Sequence, residues 1–592
     1  MRAMRKCAGW IGLSLVLAGC VPGVVAGSAE AAFAELTARY LDQAPGLSPV
    51  QATGWGDHRF DQKLDDLSPA ARERERGFLR EMLNALDRVA VSDLPRAGQV
   101  DAALLREHLE SGLWHLDVFQ EWAWNPVQYT GLAGGSIYNL MAREFAPLPE
   151  RLRSVRARLE QFPRFLEQVR STLEPARVPR VHAETAVKQN RGVLSIIEEM
   201  VLPQLGALEP SERGELEAAI KRARTAVEAH QEWLERELLP AAKGDFRIGA
   251  ELFDQRLRFA LQTSLTRAEV RQRAESEYER VRLEMFRVAR EVYRKEYPET
   301  EFPRRPSRAY RQAIIRAALE VAYRRLPSRD AVVETAREQL AAATEFIRRK
   351  GLVELPDDPV EIILMPEFQR GVSVAYCDSP GPLDAGQKTF YAVSPIPDDW
   401  TSEQVASFLR EYNWYSLQDL TMHEAMPGHY LQLAHANRYP SKLRALLGSG
   451  TFIEGWAIYG EKMMLEAGYL EGDPLARLIN LKWYLRGITN ALMDQAIHCD
   501  GMTREEAMKL MLEGGFQEER EAAGKWVRAQ LTSTQLSTYF VGFQEVTDLR
   551  REAEAAWGDQ FTLRRFHDRV LAHGSPPVHL LRGLVLDTQG SP

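Results

Sequence analysis

From about Ala31 to Lys350 the apolar residues recur at helical spacing, and this periodicity confines more than half of the chain to α-helices. The segment from Ser68 is representative. Ser68 is a predicted N-cap, and Phe78, Leu79, Met82, Leu83 and Leu86 follow on one helical face. The charged runs between such positions read as solvated helix faces. The texture changes near Gly351. "PVEIILM", "GVSVAYC" and "KTFYAVS" are short, rich in β-branched and aromatic residues, and separated by Pro, Gly and Asp, which predicts three strands of a small sheet. Helical pattern returns at Thr401, where Thr401 and Gln404 fit a capping box. The expected fold is therefore mainly α, a large helical body with a small β-sheet just before the segment that carries the most chemistry. The expected organisation is a helical region over 31–350 and a catalytic region over 351–592.

That segment is "HEAMPGH", His423 to His429. Two imidazoles and the carboxylate of Glu424 lie within seven residues, the donor types a hydrolytic metal site uses. On an unbroken helix six steps of about 100° separate the two histidines by about 240°, so they point to different faces. Pro427 stands four residues after His423, where it lacks the N–H that would bond the His423 carbonyl, and Gly428 is free of Cβ constraints. A break between the histidines is the expected consequence, and a break is what allows both to face one ion. A third ligand has to come from elsewhere. "GTFIEGWAIYGE" offers Glu454, with Glu461 seven residues on along the same helical face. The plain alternative is a surface acid beside two core histidines.

The N-terminus bears on location. Arg2, Arg5 and Lys6 precede an apolar run from Ala8 to Ala18, too short to span a bilayer and laid out as a secretory signal. Leu17-Ala18-Gly19-Cys20 resembles a lipobox, which implies removal of residues 1–19, lipidation of Cys20 and a tether over 20–30. Val21 carries no signal for inner-membrane retention, so the expected address is the periplasmic face of the outer membrane. The alternative is an ordinary signal peptide cut near Ala26 to Ala29. Cys377 and Cys499 then remain in the folded body, available for one disulfide in an oxidising compartment. No Cys-x-x-Cys pair exists for a thiolate zinc site. The net charge of −8 over 592 residues, with no basic block interleaved with aromatics, argues against nucleic acid as a partner.

The combination of "HEAMPGH" at 423–429, "EGWAIYGE" at 454–461 and "RFHDRVLAHGSPP" at 565–577 resembles the bacterial domain-of-unknown-function family 885 over nearly all of the mature chain. More distantly, it is similar to the thimet-oligopeptidase-like and Taq-carboxypeptidase-like zinc peptidases. That similarity implies one zinc ion held by His423, His429 and Glu454, with Glu424 as general base. The departure is two extra residues before the second histidine. Those peptidases also use a His and a Tyr from downstream helices, positions that His498 and Tyr539 match here. The structural alternatives are a His498 bonded to Asp494 or Asp500 and a Tyr539 packed within a helix. Arg486 is a candidate for gripping a substrate carboxylate, or else a partner of Asp494. His567 reads as structural. The leading expectation is a lipid-anchored zinc hydrolase that cleaves short peptides through metal-activated water. The alternatives are an amidase acting on cell-wall or modified peptides, and a lipoprotein that binds without catalysis.

Overall fold

Side chains at the ends of helices set where many of them start. In the computed structural model, which describes residues 24–370, 374–384 and 386–587, the Ser68 hydroxyl accepts from the Ala71 N–H at the head of a helix over Pro69–Leu86. That helix buries Leu79, Met82 and Leu86, as its spacing predicts. Thr401 and Gln404 close the expected capping box. Thr266 and Glu269 close another, which the sequence reading passed over. The signal segment 1–19 and Cys20 lie outside the described residues. Within the expected tether, helix α1 (Val24–Leu47) already begins at Val24.

The helices that matter below follow in chain order: α2 (Pro49–Trp55), α3 (Pro126–Met141), α4 (Ser402–Glu411), α5 (Trp414–Glu424), α6 (His429–Asn437), α7 (Gly450–Glu466), α8 (Pro474–Asp500), α9 (Glu519–Leu531) and α10 (Gln535–Trp557). The strands are β1 (Val360–Leu364), β2 (Ala375–Asp378) and β3 (Thr389–Val393), in the order β1-β3-β2. β1 pairs with β3 in parallel, Val360 opposite Thr389. β2 pairs with β3 antiparallel, Cys377 opposite Tyr391. Every residue of β3 is buried, as a central strand covered on both faces should be. The fold is thus mainly α with one small sheet.

The largest apolar core runs from Phe253 to Val585 and takes in residues on both sides of position 350. A second core is built from Val50 to Ala242. Cys377 and Cys499 are both free thiols, so the disulfide left open by the sequence is not formed. Among the described residues no helix is long and apolar enough to cross a membrane.

The segment after β2 is clasped to the N-terminal helices. Tyr138 of α3 donates to Asp378 (2.7 Å), Arg143 donates to the carbonyl of Asp378 (2.7 Å), and Leu383 N–H donates to the Trp55 carbonyl (3.0 Å). His58 completes the clasp. Its Nδ1 lies 2.9 Å from Asp61 and its Nε2 3.1 Å from Asp384, while its ring stacks on Phe145 at 3.6 Å between centroids. Burial disfavours the charged imidazole, but the two carboxylates outweigh burial and lift His58 to about 9. A folded pKa raised above the ordinary 6.5 contributes stability that is complete below 6.5 and is lost as pH rises through about 9. The full effect is at most about 3 kcal/mol. Denaturant unfolding at pH 6 and pH 9.5 should therefore show a drop in the wild type that His58→Gln lacks; equal drops in both proteins refute the clasp.

Candidate metal centre

Helix α5 starts where the Asn413 side chain accepts from the N–H groups of Tyr415 and Ser416, and it stops at Glu424. Helix α6 begins at His429. Between them the Gly428 N–H folds back onto the Met422 carbonyl at 2.9 Å. The Met426–Pro427 peptide is cis. A Cβ on Gly428 would lie 1.8 Å from the His423 carbonyl oxygen and 2.5 Å from that of Met422, so only glycine permits this approach. The Pro427 carbonyl accepts from the Trp456 indole (2.9 Å), which pins the turn to α7, the helix that also carries Glu454. The break expected from Pro427-Gly428 is present. Gly428→Ala should cost about 1–3 kcal/mol because backbone, not a flexible side chain, blocks the added methyl. A denaturant midpoint equal to that of the wild type contradicts the close approach.

The consequence of the turn is convergence. His423 Nε2 and His429 Nε2 each lie 3.5 Å from Glu454 Oε2, and one ligand atom from each of the three residues falls within 4.8 Å of the others. Two donors about 2.0–2.2 Å from one tetrahedral ion are separated by roughly 3.3–3.6 Å, and both His–Glu454 distances fall in that range. Glu454 Oε2 and His429 Nδ1 are buried without hydrogen-bond partners. Burial pushes the Glu454 carboxyl up, but the two imidazoles facing it hold it well below the carboxylate range. The donor set and its geometry suit one small divalent cation.

Behind the cluster stands a buried acid pair. His423 Nδ1 donates to Glu461 Oε1 at 2.7 Å. Asn480 of α8 donates to both oxygens of Asp419 (3.3 Å) and to Glu461 Oε2 (3.4 Å). Burial, and then the charge of Glu461, push the Asp419 carboxyl well above its usual range. A carboxylate on the far nitrogen fixes which imidazole nitrogen faces the ion. The sequence alone places Glu461 on the face of Glu454 and does not show this part. Its signal was the seven-residue spacing along α7, but nothing local told which acid of the pair meets which nitrogen.

Glu424 is 7% exposed and makes no hydrogen bond or ion pair with another described residue. Tyr539 lies beside the cluster, its ring 6.5 Å from that of His423 between centroids. Its hydroxyl accepts from Arg528 (2.8 Å) and Gln535 (3.1 Å), which leaves its own proton free to be donated.

His498 and Arg486 meet partners other than the acids weighed for them. His498 Nε2 faces the carbonyls of Ala529 (3.0 Å) and Thr532 (2.9 Å), and its ring stacks on Phe253; none of its hydrogen bonds or ring contacts involves the cluster. Nor is it bonded to Asp494, which instead accepts from Thr534 and Ser537, or to Asp500. Arg486 is held by Glu521, not Asp494. His567 is structural, as expected: its ring nitrogens meet the Leu352 carbonyl (2.7 Å) and the Tyr459 hydroxyl (2.8 Å).

The model of a family described as bacterial protein of unknown function (DUF885) matches residues 49–585. A solved structure of a candidate lipoprotein of unknown function from Shewanella oneidensis is 34% identical, covers 94% of this chain and 100% of its own, and superposes with a TM-score of 0.77. A crystal structure of a candidate lipoprotein from Colwellia psychrerythraea is 18% identical, covers 94% of this chain and 98% of its own, with a TM-score of 0.74; at that identity the likeness is one of fold. No curated protein matches the chain.

Proposed function

The chain belongs to the DUF885 family of bacterial proteins, and on that premise we propose that it is a lipid-anchored zinc hydrolase acting on peptide bonds of short peptides. The observation that carries the reading is the convergence of His423, His429 and Glu454 within 4.8 Å, next to a Glu424 that is 7% exposed and makes no hydrogen bond or ion pair with a described residue. His423, His429 and Glu454 would hold the ion, and Glu461 and Asn480 orient His423 from behind. Zinc in such a site supplies Lewis acidity, polarising a carbonyl and bringing the pKa of water to about 7.

The remaining work falls to this chain's own groups. A carboxylate oxygen of Glu424 takes the proton of the attacking water and passes it to the leaving nitrogen. The Tyr539 phenol donates to the oxyanion that develops on the scissile carbonyl, because its own oxygen is already occupied by Arg528 and Gln535. Cys20 is the proposed lipid attachment point, which places the protein in the cell envelope, with the periplasmic face of the outer membrane as its address. The description of a 34%-identical relative as a candidate lipoprotein supports the anchor.

A second reading, a lipoprotein that binds without catalysis, is favoured by the comparisons themselves, which describe relatives by anchorage and assign no reaction. Elemental analysis of protein beginning after Cys20 separates the two readings when joined to a library of peptides and cell-wall fragments. About one zinc per chain, lost in His423→Ala, His429→Ala and Glu454→Ala, together with cleavage of a library member, is the expected result. Cleavage confined to cell-wall fragments moves the substrate to the amidase class. A chain that takes up no metal when zinc is supplied removes the hydrolase reading and leaves the binding one.

A further inference from the structure

One face of α9 carries a set of charges that the chemistry above does not use. Glu521, Lys525 and Arg528 follow at i, i+4 and i+7 and so lie on the same side of the helix. They meet Arg486 of α8. Arg486 bonds Glu521 through Nη2, and the Tyr412 hydroxyl donates to the other Glu521 oxygen at 2.9 Å. Lys525 Nζ is 3.8 Å from Glu521, beyond hydrogen-bond reach, and its side chain is only 4% exposed. It makes no hydrogen bond with a described residue. Arg486 Nη1 and Arg528 Nε are also buried without partners.

The balance of charge is the informative point. Glu411, the next acid along, is bonded by Lys482 at 2.8 Å through Oε2, both side chains 1% exposed, while its Oε1 is buried without a partner. Among the described residues, Glu521 is therefore the one carboxylate within ion-pair distance of any of Arg486, Lys525 and Arg528. Gathering like charges out of water is costly unless an anion answers them. Burial, followed by the charges of Arg486 and Arg528, pushes the Lys525 ammonium well below its ordinary range. The cluster also reaches the metal centre. Arg528 donates to the Tyr539 hydroxyl, and the Tyr539 ring lies against that of His423.

We propose that Arg486, Lys525 and Arg528 form the subsite for a substrate carboxylate, so that the hydrolase acts on peptides bearing a free carboxylate close to the scissile bond. This rests on the hydrolase reading. Two guanidinium forks and the Lys525 amine offer a carboxylate the donors it needs, and the guanidinium donors that lack partners are the ones such an anion would engage. The carboxylate is either the chain end of the peptide or an acidic side chain near it.

The test uses zinc-supplemented protein beginning after Cys20 and three forms of one N-acylated tripeptide: the free acid, its C-terminal amide, and an amide with Glu as its last residue. The free acid should be cleaved with a kcat/KM about 100-fold above that of the plain amide. In Lys525→Met that ratio should fall toward one. Lys525 has no hydrogen bond to lose and methionine fills its volume, so this variant keeps the fold where an Arg486 variant risks freeing Glu521. Arg528→Lys, which keeps the charge, should retain most of the preference. If the Glu-bearing amide is cleaved as fast as the free acid, the recognised group is an acidic side chain; if it follows the plain amide, it is the chain end. A second readout needs no turnover: thermal stabilisation of the metal-free protein by N-acetylphenylalanine and not by its amide, abolished in Lys525→Met. Equal cleavage of acid and amide by the wild type overturns the subsite and leaves the hydrolase. Acid-selective stabilisation without any cleavage keeps the subsite and overturns the hydrolase. Neither cleavage nor selective stabilisation overturns both.

Discussion

If the proposed hydrolase reading holds, Glu424→Gln should take up as much zinc as the wild type and lower peptide hydrolysis by about 10³-fold. Glutamine matches glutamate in shape, so the end of α5 and the turn to His429 stay as they are. Glu424 has no hydrogen bond or ion pair to a described residue, and its replacement therefore disturbs no partner. What is lost is the capacity to take a proton from water and return it to the leaving nitrogen. General-base catalysis is worth about 10²–10⁴, which brackets the effect. Retained metal distinguishes this variant from His423→Ala, His429→Ala or Glu454→Ala, in which activity and zinc should vanish together. A Glu424→Gln protein as active as the wild type shows that another group moves the proton. The physical reason to assign Glu424 this task is its place beside the candidate ligand His423 and its freedom from any hydrogen bond or ion pair with a described residue.

The parts of this protein that could be read in its sequence are those decided by neighbours in the chain. Capping residues, helical period and the short β-branched runs act over a few positions, so the helices at Ser68 and Thr401 and the three strands fall where expected. The break before His429 was legible for the same reason, since Pro427 and Gly428 act on the carbonyls of Met422 and His423. Long-range pairing was not. Arg486 had Asp494 eight residues away on its own helix and took Glu521, which only the packing of α9 on α8 brings near. His498 had two acids in its vicinity and satisfied its Nε2 on backbone carbonyls of a segment more than 30 residues downstream. The role of Glu461 depends on how α7 crosses α5, which no spacing within α7 encodes.

That crossing geometry depends in turn on α7 packing against α10, and two glycines set it. A Cβ on Gly542 would lie 1.9 Å from the Thr451 carbonyl oxygen and 2.9 Å from the Gly455 Cα; a Cβ on Gly455 would lie 2.2 Å from the Gly542 carbonyl carbon. The two helices meet backbone to backbone, with no side chain available to rotate away. Glu454 precedes Gly455, and Tyr539 lies one turn before Gly542, so the same contact sets a candidate metal ligand and the proposed oxyanion donor on adjoining helices. Gly542→Ala can be accommodated only by moving α7 and α10 apart. The expected cost is about 3 kcal/mol or more, at the upper end of what overpacking produces, because both sides of the contact are main chain. Gly524→Ala is the matched control. Gly524 lies exposed on α9 with nothing within 4 Å of an added Cβ, and alanine there should stabilise the helix by about 0.5–1 kcal/mol. Denaturant midpoints measured side by side should move in opposite directions. If Gly542→Ala moves with Gly524→Ala, the helices are not in backbone contact and the placement of Glu454 against Tyr539 has another origin. If it is destabilised as expected, zinc titration of the folded variant should show weaker binding than in Gly524→Ala, because separating the helices draws Glu454 away from His423 and His429.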